Sequence, residues 1–324
     1  MQSIDFYRKE FISYLGNKTI DREPQNLYAP ISYILGLGGK RLRPVLTLVA
    51  TEVFGKDYNK ALDAALAIEI FHNFSLVHDD IMDDAPLRRG KATVHEKWDV
   101  NTGILSGDAM LITAYQLFEN YPSDIFKDLA KLFSETALKV CEGQQYDIDF
   151  ESRDDVTLSE YLTMIEYKTA VLIAAALKMG GIVAGADQSD QNEIYRFGLN
   201  LGIAFQLQDD YLDAFGDPET FGKQVGGDII ENKKTYLYLN VLLHGTAQQK
   251  KELLDLFSIQ PKDPSAKIAT IKDIFKESGS AQRTQSAIFD YSNRAFAILD
   301  KLKISADNKS LLRSFGESLM VRKV

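Results

Sequence analysis

The chain has 324 residues, 45% hydrophobic and 26% charged, with a net charge of −9, an ordinary globular composition of acidic balance. That sign argues against a phosphate-backbone nucleic-acid binder, and an acidic chain handling an anionic substrate needs local cations or bound metal. A single cysteine, Cys141, rules out an internal disulfide and fits a reducing compartment.

The N-terminus, Met1-Gln2-Ser3-Ile4-Asp5-Phe6-Tyr7-Arg8-Lys9-Glu10, is amphipathic and charged, without the apolar core of a signal peptide. A glycine turn at Gly36-Leu37-Gly38-Gly39 leads into Lys40-Arg41-Leu42-Arg43-Pro44, whose three cations suit a phosphate cradle or a basic helix start. Ala61 to Asp83 carries apolar residues on several faces, as a buried helix does. It ends in Asp79-Asp80-Ile81-Met82-Asp83-Asp84. Asp79 and Asp83 are four apart, so their carboxylates share a helix face one turn from each other. Such like-charged pairs cost stability unless a hard cation joins them, and oxygen ligands suit magnesium. Taken singly, the cluster also reads as a solvated acidic helix end.

Ala85 to Gly90 breaks the helix and brings Arg88-Arg89. Helical patterns follow at Leu105 to Phe118, Ile125 to Val140, Leu158 to Val183 with Lys168-Thr169 in mid-helix, and Glu193 to Leu212. The most apolar run, Ala170 to Leu177, falls short of the ~20 residues of a membrane span. The last helix leads through Phe205-Gln206 into Asp209-Asp210-Tyr211-Leu212-Asp213, where Asp209 and Asp213 repeat the four-residue spacing. Two acidic pairs, each closing an apolar helix, are hard to explain as solvated surface; facing each other they would form a metal clamp. Lys223 and Lys233 flank Gly226-Gly227-Asp228, and only helical pattern remains after about Lys250. No Asn-Gly or Asp-Gly pair signals a hairpin, and prolines are absent from Pro44 to Pro86 and from Pro122 to Pro218. No break is long or polar enough for a domain linker. The expected architecture is all-α: one domain over residues 1–324, a bundle of about ten or more helices around a central cavity.

Gly39 to Pro44, Leu76 to Gly90, Gly107-Asp108, Gly143-Gln144, Lys168-Thr169 and Phe205 through Thr235 together resemble the trans-isoprenyl diphosphate synthases, the polyprenyl synthetase family. The resemblance implies a magnesium-dependent transferase, with three ions once substrate is bound, that condenses isopentenyl diphosphate with an allylic diphosphate. It implies metal binding by Asp79 and Asp83, with Asp80 close by, and by Asp209, supported by Asp210 and Asp213. Arg88, Lys168, Lys223 and Lys233 would hold the allylic diphosphate. Lys40, Arg43, His72 and Arg89 would hold isopentenyl diphosphate; His72 is seven residues before Asp79, on the same helix face. Thr169 and Gln206 would face the carbocation. His78, His95 and His244 receive no catalytic role.

A homodimer in the cytoplasm, without nucleic acid or an integral membrane segment, completes the expectation. A terpene cyclase would usually carry a different second metal motif, and a non-catalytic partner subunit a degraded one; here the second Asp-Asp-x-x-Asp is intact. Phe74 lies five residues before Asp79, about 7–8 Å down the helix, where a large ring would act as a floor to the growing chain. One aromatic there and no insertion in the first motif resembles the archaeal geranylgeranyl pattern. The four-unit product is therefore favoured over the three-unit one.

Overall fold

The computed structural model of the chain describes residues 2–18, 22–217 and 225–320. The described residues are almost entirely helical, and the two strands among them, Leu87–Arg88 and Lys91–Ala92, form one antiparallel hairpin. Two compact units are present: Met1–Glu135 with Ala175–Asn192, and Thr136–Ala174 with Glu193–Val324.

In the first unit the Leu62–Met82 helix is the central element. It follows a 3₁₀ turn at Tyr58–Ala61, where Asp57 accepts from the Asn59 amide. It buries residues on every face, among them Leu66, Ile68, Ile70, Phe71, Phe74 and Val77, against the Leu42–Val53 and Val100–Phe118 helices. Each such side chain contributes about 1.5–3 kcal/mol of burial, offset by the ordering entropy of the chain. Gly180 lets the Val171–Ala184 helix touch the Leu42–Val53 helix, since a Cβ there would lie 2.4 Å from the Thr47 carbonyl oxygen.

The segment after Asp84 turns through the hairpin, which no Asn-Gly pair announced. Its two central residues, Arg89 (φ 53°) and Gly90 (φ 73°), both take positive φ, as a type I′ turn requires. Arginine thus stands where asparagine or aspartate is usual.

In the second unit the Leu158–Ile165 helix opens on a capping box: Thr157 accepts from the Glu160 amide while Glu160 bonds back to the Thr157 amide. The pattern expected as one helix from Leu158 to Val183 is interrupted by a π turn at Glu166–Ala170 before Val171–Ala184 continues it. As a whole, Leu158–Ala184 is long and apolar enough to cross a membrane, longer than the run noticed in the sequence. Yet 78% of its most apolar window is buried inside the protein, as in a core helix.

The helix expected at Ile125 to Val140 runs further, Ser123–Ser152, because no proline interrupts it. Lys234 caps its end, donating to the carbonyls of Phe150 and Arg153. Cys141 is exposed on this helix. The second unit's core packs Tyr161, Leu207, Leu237, Tyr238 and Phe275, with the Tyr236–His244 helix against Ser280–Leu299.

Candidate active site

In the first unit the glycine turn, the Leu62–Met82 helix and the hairpin bring five of the expected residues close. Gly38 and Gly39 take φ of 80° and 117°, open to glycine alone without strain, and Arg41 follows at φ 50°. This conformation sends Arg41 inward, where it pairs with buried Glu69 and the Leu35 carbonyl, and leaves Lys40 exposed. Arg43, in the first turn of the next helix, lies with its Nη1 3.1 Å from His72 Nε2. Arg89 donates to the Gly38 carbonyl, and a Cβ on Gly39 would sit 2.8 Å from its guanidinium. The guanidinium, at the end of a flexible side chain, could give way; the φ of 117° is what requires glycine there.

Burial, and then the charges of Arg43, Arg89, Arg88 and Arg41, hold His72 well below the usual histidine range. The ring is neutral, and with its proton on Nδ1 it accepts from Arg43. Burial also pushes Arg43 down to about 10, and its buried Nε has no hydrogen-bond partner. A cluster of guanidiniums with an unmatched donor is a site for an anion.

Asp80, only 1% exposed, accepts Arg88 Nε at 2.8 Å on both oxygens and Nη2 at 2.6 Å. Its carboxylate is committed to Arg88, which it holds in place. Asp79 is part-buried and Asp83 exposed, with the helix register kept by the Asp83 amide on the Asp79 carbonyl at 2.9 Å. Both offer hard carboxylate oxygens, the donor set magnesium takes.

In the second unit Lys168 lies within the π turn and donates to Asp147 Oδ2 at 2.5 Å. Two glycines make room for that turn. A Cβ on Gly143 would lie 2.3 Å from the Lys168 amide nitrogen, and one on Gly202 2.7 Å from Ala170 Cα. Thr169 donates its hydroxyl to Gln206 Oε1 at 3.1 Å, and Gln206 Nε2 donates to Asp210 Oδ1 at 3.0 Å. Tyr161 donates to the other Asp210 oxygen. Burial, and then the charge of Asp228, push the Asp210 carboxyl well above the usual range. Asp209 is part-buried, and Asp213 accepts the Asp228 amide at 3.0 Å.

Lys233 pairs with Glu231 at 2.9 Å and lines a pocket with Asp210, Asp213 and Asp228, beside the network around Lys168. Lys223 lies outside the described residues. Sequence reasoning missed Glu69, Asp147, Tyr161 and Asp228. Only Asp147 left a signal: it is one helical turn past Gly143, on the face that meets Lys168.

A family model described as polyprenyl synthetase matches residues 24–275. The geranylgeranyl diphosphate synthase of Methanosarcina mazei is 37% identical over 302 residues, 92% of this chain and 90% of that one. The geranylfarnesyl diphosphate synthase of Natronomonas pharaonis is 36% identical over 320 residues, 93% of this chain and 91% of its own. A crystal structure of geranylgeranyl pyrophosphate synthase, 53% identical, matches with a TM-score of 0.96 over 100% of both chains.

Proposed function

This chain belongs to the polyprenyl synthetase family and is a short-chain prenyltransferase; on that premise we propose that it extends an allylic diphosphate with isopentenyl diphosphate to the four-unit geranylgeranyl product. The observation that carries the site is the cationic cluster around neutral His72, set in a chain with two Asp-Asp-x-x-Asp motifs. The names of its relatives and the single ring at Phe74 favour four units over three.

The isopentenyl diphosphate phosphates sit on Arg43, Arg89 and Lys40. His72 orients Arg43 by accepting its Nη1, and the Gly38 carbonyl fixes Arg89. Asp80 fixes Arg88 and Asp147 fixes Lys168 by hydrogen bonds, and these cations with Lys223 and Lys233 are the ones assigned to the allylic diphosphate. The family is magnesium-dependent in general. Asp79, Asp83 and Asp209 are the residues that would hold magnesium, three ions once substrate is bound, and the metal would supply positive charge for the leaving diphosphate.

The allylic C–O bond breaks with its electron pair going to the diphosphate. Thr169 and Gln206 then turn oxygen dipoles on the allylic cation. Gln206 is oriented for this by its bond to Asp210, and the Asp210 carboxyl by Tyr161. The isopentenyl double bond attacks the cation, and a proton leaves for the released diphosphate. No side chain is assigned as the base. The enzyme works as a cytoplasmic homodimer, and residues 1–324 act as one polyprenyl synthetase domain.

Asp79→Ala and Asp209→Ala are each expected to lower turnover by roughly 10²-fold or more at saturating magnesium, with helical circular dichroism unchanged. Near-normal turnover in either variant refutes the metal assignment. Chromatography of the dephosphorylated products identifies the chain length.

A further inference from the structure

The hairpin that carries Arg88 and Arg89 closes on a short helix, Val94–Lys97, and brings its residues back to the end of the first acidic motif. There one nitrogen of His95 and one carboxylate oxygen each of Asp84 and Glu96 lie within 4.8 Å of one another. Asp84 and Glu96 are exposed, and Asp84 takes φ 48° in the left-handed region.

His95 differs from both. Its side chain is only 5% exposed, and neither Nδ1 nor Nε2 has a hydrogen-bond partner. A neutral imidazole carries one donor and one acceptor, and a buried ring normally satisfies both. The polar atom in reach of Nε2 is Glu96 Oε1, at 3.9 Å too long for a hydrogen bond. The Thr93 hydroxyl, two residues earlier, is likewise buried and unmatched. The mechanism leaves His95 idle, so its two orphaned nitrogens have no account in the prenyl-transfer site.

A metal ion accounts for one of them, the lone-pair nitrogen, the other then carrying the proton. The two exposed carboxylates and the buried imidazole can hold one ion between them, leaving open positions for water. The donor set of one imidazole nitrogen and two carboxylate oxygens suits zinc among the common divalent ions, while magnesium prefers oxygen throughout. We propose that Asp84, His95 and Glu96 form a zinc-type divalent site, separate in ligands from the aspartate pairs, that pins the arginine hairpin to the end of the acidic helix. An ion there would tie together two chain ends, at Asp84 and His95, that the hairpin alone connects.

The test is calorimetric titration of the full-length chain with zinc chloride, with magnesium in excess throughout to occupy hard-oxygen sites. The wild type is expected to bind zinc at one such site and to gain thermal stability with it. His95→Gln and Glu96→Gln are each expected to weaken that binding at least roughly tenfold, while Asp79→Ala retains it. Glu96 is half exposed, so its variant keeps the test valid where His95→Gln fails to fold. A cobalt substitution adds a readout, since loss of the imidazole ligand alters the visible spectrum. Absence of zinc binding by the wild type overturns the proposal. So does unchanged binding in Glu96→Gln, or loss of binding in Asp79→Ala, which would place the ion on the first acidic pair.

Discussion

Arg43 and His72 share a hydrogen bond that requires the ring to be neutral, and this gives the protein a defined response to acid. The folded chain keeps His72 deprotonated where the unfolded chain, titrating near 6.5, takes up a proton. This contribution to stability is complete above that pH and is lost as pH falls below it, at up to about 1.4 kcal/mol per unit for one proton. Urea unfolding above and below pH 6.5 is expected to show a shallower acid dependence in His72→Gln than in the wild type; identical slopes would mean the ring is not held neutral. Phe74 invites a second test. It packs on Phe71 at 5.5 Å and on His78 at 4.8 Å between ring centres, and Phe71 packs in turn on Phe133. Phe74→Ala is expected to lengthen the product by one or more units. A variant that loses about 3–5 kcal/mol of stability but makes only its original product would show the ring to be core alone. The acidic pairs, Arg43 and His72 were legible because spacing on one helix states which side chains share a face. Glu69 was not: a carboxylate inside an apolar helix looks like any other until buried Arg41 is seen against it.

At the scale of elements, the π turn at Glu166–Ala170 escaped the sequence for a related reason. Its apolar neighbours are buried on every side, so periodicity cannot register one extra residue in a turn. What holds it is the approach of two other helices at Gly143 and Gly202, a tertiary fact. Gly143→Ala would ordinarily strengthen a helix by up to about 1 kcal/mol. With its Cβ 2.3 Å from the Lys168 amide nitrogen, it is expected instead to destabilise by about 1–3 kcal/mol and to lower kcat by displacing Lys168. Gly16→Ala is the control: nothing lies within 4 Å, and a small gain is expected. Denaturation midpoints and turnover on the same preparations decide it; a stabilised, fully active Gly143→Ala would refute the close contact.

For the molecule as a whole, the helical class followed from long proline-free runs and the scarcity of turn pairs, and helix bounds fell within a few residues at Ala61 to Asp83. The longer overruns, such as Ser123–Ser152, came where no breaker marked the end. The two compact units also divide the chemistry: the arginines around His72 lie in the first, and Lys168 with Gln206 in the second. Arg43→Ala is expected to raise the KM for isopentenyl diphosphate at least roughly tenfold with little effect on that of the allylic partner, the loss of one charged hydrogen bond. Lys168→Ala is expected to act on the allylic side and on kcat. Equal shifts in both KM values in both variants would refute the division, in initial-rate measurements with each substrate varied in turn.

Cys141 gives this protein a spectroscopic handle. It is the only thiol in the sequence and is exposed. A maleimide dye therefore has a single attachment point, with no background cysteine to remove. Partial burial and the charge of Glu142 raise the thiol above its ordinary range, so labelling should be slow near neutrality and quicken in mild alkali. Cys141 lies two residues, about half a turn, before the glycine that meets the Lys168 amide, so the dye would mark that helix from its other side without obstructing the contact.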